Sequence, residues 1–303
     1  MASYKDLMNS LAKDTNLRQL TDDEVIKLRK TLLRAFQDLV DCCNKHNLRV
    51  MLGGGSALGA VRHKGFIPWD DDMDLNMPRE DFETLKEVFD KELGDKYILS
   101  SPNYKNNAKA RFPMILVKDT IFTEIGQSPE DELSKIKIDI FLIDNVPDNV
   151  IHRYLKGFWC TCLMFMASYE ATYENRHNQI FKDYMCKTEE GRAEYNRRIK
   201  LGKLFSFYNF QKWVNLIDLA FQHNKLTKLV SIPSGRKHYF GEIRPRETFL
   251  PVSQGVFEGL KVNLPGNLHD YLTNLYGSDY MTLPPEEKRE RHFIVDLKFQ
   301  KDE

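Results

Sequence analysis

The sequence predicts an α+β fold, a mixed sheet flanked by helices, with a helical region in the middle. Three observations carry this. Apolar residues recur at helical spacing from Val25 to Val40 and then give way to a short apolar run, Leu48 to Leu52. Strand-like alternation appears at Met73 to Leu75 and again through Ile136 to Asp144. From about Asp148 to His223 the pattern turns helical, and strand-like runs return only after Pro233-Ser234-Gly235. The expected organisation is a core over 1–147, a helical region over 148–235, and C-terminal strands and a helix over 236–303 that complete the core.

Thr21 and Glu24 have the spacing of a capping box. Val25, Leu28, Leu32, Ala35, Phe36 and Leu39 then share one helix face, and the helix runs to about Asn47. Leu48 to Leu52 reads as a strand, broken by Gly53, Gly54 and Gly55. Ser56 is expected to cap a short helix begun at Ala57. Pro78 opens another helix, with Phe82, Leu85 and Val88 on one face. Phe112 to Val117 and Ile121 to Ile125 read as a hairpin around Lys118-Asp119-Thr120, flanked by Arg111 and Lys118 as solvated cations. Arg153 to Tyr173 is rich in Phe, Trp, Met and Tyr. It reads first as a buried core helix, with a membrane-facing or lipid-acceptor helix as the alternative. Tyr239 to Ile243 and Phe257 to Leu264 are expected strands, and a helix follows near His269 to Tyr276.

The chain of 303 residues balances 44 basic against 44 acidic side chains. No global field therefore recruits a polyanion, and a compact substrate is expected rather than nucleic acid. Five cysteines show no CxxC pair, which points to reduced thiols and a cytoplasmic setting. The N-terminus lacks the apolar core of a secretion signal, and the apolar stretch from Gly157 to Tyr169 is too short to span a bilayer.

The most informative segment is Trp69-Asp70-Asp71-Asp72-Met73-Asp74-Leu75. With Met73 and Leu75 inward on a strand, Asp70, Asp72 and Asp74 share the other face, spaced about 6.6 Å apart. Two carboxylates about 5 Å apart repel by roughly 3 kcal/mol at an effective dielectric near 20. A divalent cation relieves that repulsion. Mg²⁺ prefers oxygen ligands and takes one or two carboxylates, leaving its other positions to water and phosphate. Upstream, Gly53 to Gly55 and Ser56 form a turn into a helix N-terminus, whose N–H groups suit an anion. Arg62, His63 and Lys64 follow within reach of a diphosphate.

The run from Gly55 through Val61, Arg62, His63, Lys64, Gly65, Trp69 and Asp74 resembles the LicD family, which shares a nucleotidyltransferase-like core with fukutin and fukutin-related protein. Phe257-Glu258-Gly259, Pro265, Tyr271-Leu272, Tyr276-Gly277 and Arg291-His292 extend the resemblance. It touches roughly residues 25–145 and 238–293, while about 150–235 carries no family motif. The resemblance implies that Gly55 and Ser56 grip a phosphate, with Arg62, His63, Lys64 and His292 also on the donor. It implies that Asp72 and Asp74 are the paired carboxylates, with Asp70 and Asp72 as a second possible pair. A third carboxylate is expected on a neighbouring strand, and Asp139 fits; Asp144 reads as a turn residue. Asp72, Asp74 and Asp139 would be catalytic, and with Asp70 would hold Mg²⁺ or Mn²⁺.

The implied activity is metal-dependent transfer of a phosphorylated small alcohol, such as phosphocholine, from a CDP-linked donor to a glycan hydroxyl, releasing CMP. The acceptor would be a cell-surface glycan precursor, lipid-linked in some settings, reached from the inner face of the membrane with peripheral contact. Two alternatives stay open. One is a nucleotidyltransferase that leaves NMP on a sugar or small molecule. The other is an inactive nucleotide- or glycan-binding module.

Overall fold

The computed structural model describes residues 18–105, 110–124, 130–286, 289 and 293–300. Its central sheet is mixed, with strand order β2-β3-β7-β5-β4. These strands are β2 (Met51–Leu52), β3 (Asp74–Pro78), β4 (Tyr97–Ser100), β5 (Met114–Val117) and β7 (Lys137–Asn145). β3 and β7 run parallel, with Asp74 opposite Asp139 and Leu75 opposite Ile140. β5 is antiparallel to β7 on its other side and sets Met114 against Asp139. β7 alternates: Ile138, Ile140 and Leu142 are buried, so Asp139 faces away from them. The α+β expectation holds.

Helices cover the sheet through the faces that the spacing marks out. The first, α1 (Asp22–Lys45), has both halves of the capping box formed between Thr21 and Glu24. It buries Leu28, Leu32, Ala35, Phe36 and Leu39 in the main core. Helix α2 (Gly54–Arg62) follows β2, and α3 (Arg79–Glu92) follows β3 with Pro78 as its N-cap. α3 buries Phe82, Leu85 and Phe89; truncating such a Phe to Ala typically costs about 3–5 kcal/mol.

The middle of the chain is helical, as expected. It holds α4 (Val150–Glu174), α5 (Gln179–Met185), α6 (Glu189–Phe205) and α7 (Phe210–Phe221). Each begins at a side-chain cap, Asn149, Asn178, Thr188 and Asn209 in turn. Cys160, Leu163 and Ala167 of α4 meet Phe210, Trp213, Val214 and Ile217 of α7 in a buried cluster of their own. Arg79 ties this layer to the sheet, donating to Asp144 at 2.6 Å and to Asp218 of α7 at 2.8 Å. Asp144 is thus a buried strand residue rather than a turn residue. Removing either partner would strand a buried charge.

Three local expectations are corrected. The segments around Lys118-Asp119-Thr120 are strands but not a hairpin. β5 pairs with β4 and β7, whereas β6 (Ile121–Glu124) pairs with β12 (Phe293–Lys298), which also pairs with β1 (Arg18–Gln19). Thr120 redirects the chain: its hydroxyl donates to the Val117 carbonyl and accepts from the Ile136 N–H. Phe257 to Leu264 is not one strand but a hairpin of β10 (Ser253–Phe257) and β11 (Leu260–Leu264), turned by Glu258 at φ 49° and Gly259 at φ 79°. Tyr239 to Ile243 is not a strand. It is mostly a short helix, α8 (His238–Gly241), whose Tyr239 is buried and whose Tyr239 carbonyl accepts from Ser231 Oγ. Tertiary contacts outweigh aromatic strand preference there. Short strands β8 (Leu229–Ser231) and β9 (Arg244–Pro245) extend the sheet at the end of β7. The last helix is α9 (Leu268–Tyr276), close to its expected place. All five cysteines are free. Among the described residues no helix is long and apolar enough to cross a membrane.

Candidate active site

The glycine turn and the acid run meet because β2 pairs with β3. Gly53 N–H donates to the Asp74 carbonyl at 2.9 Å. Helix α2 then starts at Gly54 with Gly53 as N-cap, three residues earlier than expected. Ser56 is therefore not the cap. It lies buried in the first turn, where its hydroxyl accepts from the Asp74 N–H at 3.0 Å and pins helix to strand.

The glycines serve as a floor for carboxylates. A Cβ at Gly55 would lie 2.8 Å from Asp70 Oδ2, and one at Gly54, where φ is +41°, would collide with Asp74 Oδ2. The leading N–H groups of the turn are not left open, as the sequence reading had them. Gly54 N–H donates to the Tyr271 hydroxyl at 2.9 Å, and Gly55 N–H donates to Asp74 Oδ2 at 3.3 Å. Tyr271 also accepts from Asn76 Nδ2 at 2.9 Å. The Tyr271-Leu272 motif of α9 thus buttresses the turn from a distant part of the chain.

The acids alternate as the pattern requires, although only Asp74 lies within the strand. Asp71, Met73 and Leu75 are 5%, 1% and 0% exposed, whereas Asp70, Asp72 and Asp74 are half-buried. The Asp70 carboxyl hydrogen-bonds the Asp72 carboxyl. Burial first, then the Asp72, Asp74 and Asp71 charges, push the Asp70 pKa up to about 9. Asp74 faces Asp139 across the β3–β7 pair. Among the described residues no three His, Cys, Asp or Glu side chains are arranged so that together they could hold a metal ion. Mg²⁺ takes only one or two carboxylates, because water and phosphate complete its shell. A half-buried pair of carboxyls in contact, beside two further acids, is a donor set that suits a hard divalent cation.

Two residues hold the acid turn without touching its chemistry. Arg29 of α1 donates to the carbonyls of Ile67 (2.8 Å), Pro68 (3.1 Å) and Asp70 (2.7 Å). Glu258 accepts from Phe66 N–H at 3.0 Å, and its own N–H donates to the Lys64 carbonyl at 2.8 Å. The Phe257-Glu258-Gly259 motif thereby acquires a physical role. Arg29 could not be singled out, because one arginine within an amphipathic helix carries no distinctive signal.

The basic residues divide. Arg62 donates to the Tyr280 carbonyl at 2.9 Å and stands 5.8 Å from the Trp69 ring. Burial lowers its pKa, partly opposed by Tyr276 and Asp70, which places the guanidinium among them. His63 meets Trp69 edge-on at 6.1 Å, and burial lowers its pKa, with Arg62 adding to the effect. Lys64 stands exposed on the turn at φ 61°. Arg291 and His292 lie outside the described residues. Three cations beside the acids were not expected. Arg289 is 4.7 Å from the Trp69 ring. Arg236 lies over Tyr276 at 5.7 Å. Arg111, read as solvated, borders a cavity with Asp72 and Asp139.

The acids lie between two cavities. One of about 380 Å³ is bordered by Asp71, Asp72, Asp139, Arg111 and Lys137. The other, of about 210 Å³, is bordered by Gly54, Asp74, Arg236, Tyr271 and Tyr276. A larger cavity of about 620 Å³ shares Arg111 and Phe112 with the first and runs along α4 and α7. Tyr169, Arg197 and Arg198 line it, with both guanidinium groups over the Tyr169 ring. Tyr239 is buried and Trp159 faces solvent, so neither lines these cavities.

Residues 47–151 match the family described as LicD/FKTN/FKRP, nucleotidyltransferase domain. The chain is 28% identical over 257 residues to the lipopolysaccharide cholinephosphotransferase LicD of Haemophilus influenzae, covering 83% of this chain and 89% of that protein. Shorter matches reach uncharacterized proteins of Rickettsia prowazekii, 35% identical over 75 residues, and Rickettsia typhi, 39% over 51 residues. These cover 23% and 17% of this chain, and 28% and 16% of the relatives.

Proposed function

We propose that this chain, whose residues 47–151 match the LicD/FKTN/FKRP nucleotidyltransferase domain, is a phosphotransferase that moves phosphocholine, or a similar phosphorylated alcohol, from a CDP-linked donor to a glycan hydroxyl. The relative's cholinephosphotransferase activity on lipopolysaccharide supports the class of reaction and the kind of acceptor. The observation that carries the reading is the Asp70–Asp72 carboxyl contact beside Asp74, with Asp139 in register on the parallel strand.

In this reading Asp70, Asp72, Asp74 and Asp139 are the set from which one or two carboxylates would hold Mg²⁺ or Mn²⁺, which would neutralise charge on the diphosphate oxygens. The donor lies over the turn at Gly55 and Ser56. With the first two N–H groups engaged within the chain, its phosphates depend more on cations, Arg62 beside Trp69, Lys64 on the turn and Arg236 and Arg289 nearby, while His63, whose pKa burial lowers, and His292 would serve as hydrogen-bond donors. The acceptor hydroxyl enters from the cavity shared by Asp72, Asp139 and Arg111. Asp139 takes its proton as the oxygen attacks the distal phosphorus, and CMP departs on the other side. Arg111 faces the incoming phosphorylated group. The wider cavity along α4 has room for the rest of a glycan.

A panel of CDP-linked alcohols incubated with Mg²⁺ and a glycan acceptor tests the proposal. CMP release from at least one donor, dependent on acceptor, is expected. No CMP from any donor, with tight binding of nucleotide or glycan retained, would favour the inactive-module alternative.

A further inference from the structure

Helix α4 has two unlike faces. Cys160, Leu163 and Ala167 pack inward. On the other side Ile151, Tyr154, Leu155, Phe158 and Trp159 are 55–67% exposed. Their spacing of three and four residues puts them on one stripe. Phe240 of α8, itself exposed, lies against Tyr154 with ring centroids 5.6 Å apart and widens the stripe. The buried-core reading describes only the inward side of this helix, and the other side has the exposure of a membrane-facing one. A continuous band of large exposed apolar side chains marks an interaction surface.

Charge identifies the partner. From Val150 to Tyr169 there is no acidic residue, while His152, Arg153 and Lys156 are present. Lys156 reaches the end of α7, donating to the Gln222 carbonyl at 2.6 Å, close to His223 and Lys225. Lys225 and Lys228, beyond the end of α7, and Lys237, at the start of the helix that carries Phe240, are exposed. The nearby Asp148 accepts from the Lys228 N–H. His152, Arg153 and Lys156 therefore flank the apolar stripe on its own helix, with no carboxylate among them. A symmetric dimer through this face would set those side chains against their own copies. Trp, Tyr and Phe together with flanking lysines and arginines suit the headgroup layer of an anionic bilayer.

We propose that the Ile151–Trp159 stripe of α4, with Phe240, docks the protein flat on an anionic lipid surface. The helix lies in the plane of the interface rather than across it. Further along α4, Thr161, Met164 and Ser168 line the cavity that shares Arg111 with the acids. Docking would set that cavity beside the lipid headgroups. The inference rests on exposure and charge, and stands whether or not the transfer reaction proposed above is correct.

Vesicle flotation of the full chain tests it. The probes are phosphatidylcholine vesicles with and without phosphatidylglycerol, and the variant combines Leu155→Ser with Phe158→Ser. The parent should float with the anionic vesicles, less so at high salt and with phosphatidylcholine alone. The double variant should keep the parent's circular dichroism and thermal melt, since both side chains are exposed, and should bind more than about tenfold more weakly. Three results would overturn the inference. The parent could stay soluble with anionic vesicles, or parent and variant could bind equally. Alternatively, sedimentation could show a dimer that the variant dissociates, without vesicle binding, which would assign the stripe to a second copy of the chain.

Discussion

Asp70→Asn isolates the electrostatics of the acid cluster. Burial and the neighbouring carboxylates keep Asp70 protonated in the folded protein up to about pH 9, against 3.8 for an unperturbed aspartate. Between those values the folded state holds a proton that the unfolded chain has lost. Rising pH therefore costs stability: the loss begins near pH 3.8 and is complete above about 9. At pH 7 its ceiling is about 4 kcal/mol, from about 1.36 kcal/mol per pH unit. The carboxyls border open cavities, where water screens the charges, so about 1–3 kcal/mol is the working figure. Asparagine keeps the shape, carries no charge, and still donates to Asp72. In chelator, the variant should be more stable than the parent by that amount at pH 7, with a larger gain at pH 8 than at pH 5. Mg²⁺ should stabilise the parent by preferential binding to the native state, and the variant less. Denaturant melts at pH 5 and 8, with chelator and with Mg²⁺, read all of this. A gain that shrinks as pH rises, or equal Mg²⁺ stabilisation of both proteins, would refute the reasoning.

Other perturbations follow from the same geometry. Ser56→Ala removes the acceptor of the Asp74 N–H and should cost about 1–3 kcal/mol in a denaturant melt; an unchanged melt would show that the contact is dispensable. Tyr271→Phe deprives both Gly54 N–H and Asn76 of their acceptor, and should lower stability by a similar amount and kcat with it; full turnover would separate the turn from the reaction. Asp139→Asn should fold normally and lose turnover by orders of magnitude, which circular dichroism beside an activity assay would check. Turnover should cease in chelator and return with Mg²⁺ or Mn²⁺; full activity in chelator would remove the metal from the account.

Much of the site was legible because its central elements are local. Capping at Thr21, the break at Gly53 to Gly55, and the alternation from Asp70 to Leu75 are each written within a few residues. The α+β class followed from switches between helical and strand spacing. What stayed hidden was set at long range. Local pattern could not show that β6 leaves β5 for β12, nor that Tyr271 reaches back to Gly54. The start of α2 was misplaced because Ser56 resembles a cap, whereas its hydroxyl is taken by Asp74 from the neighbouring strand. Arg111 is exposed, as it was read, but only the folded chain brings it to the cavity of Asp72 and Asp139. Helix α4 resisted a single reading because it is apolar nearly all round: one side is core, the other bare.

The central claim concerns which phosphorus is attacked, and a donor labelled separately in its cytosine and its distal phosphate tests it most directly. CDP-choline labelled in this way, with Mg²⁺ and a glycan acceptor, should yield a glycan carrying the phosphate label and free CMP carrying the cytosine label. Cytosine label in the glycan would contradict the account and establish nucleotidyl transfer instead.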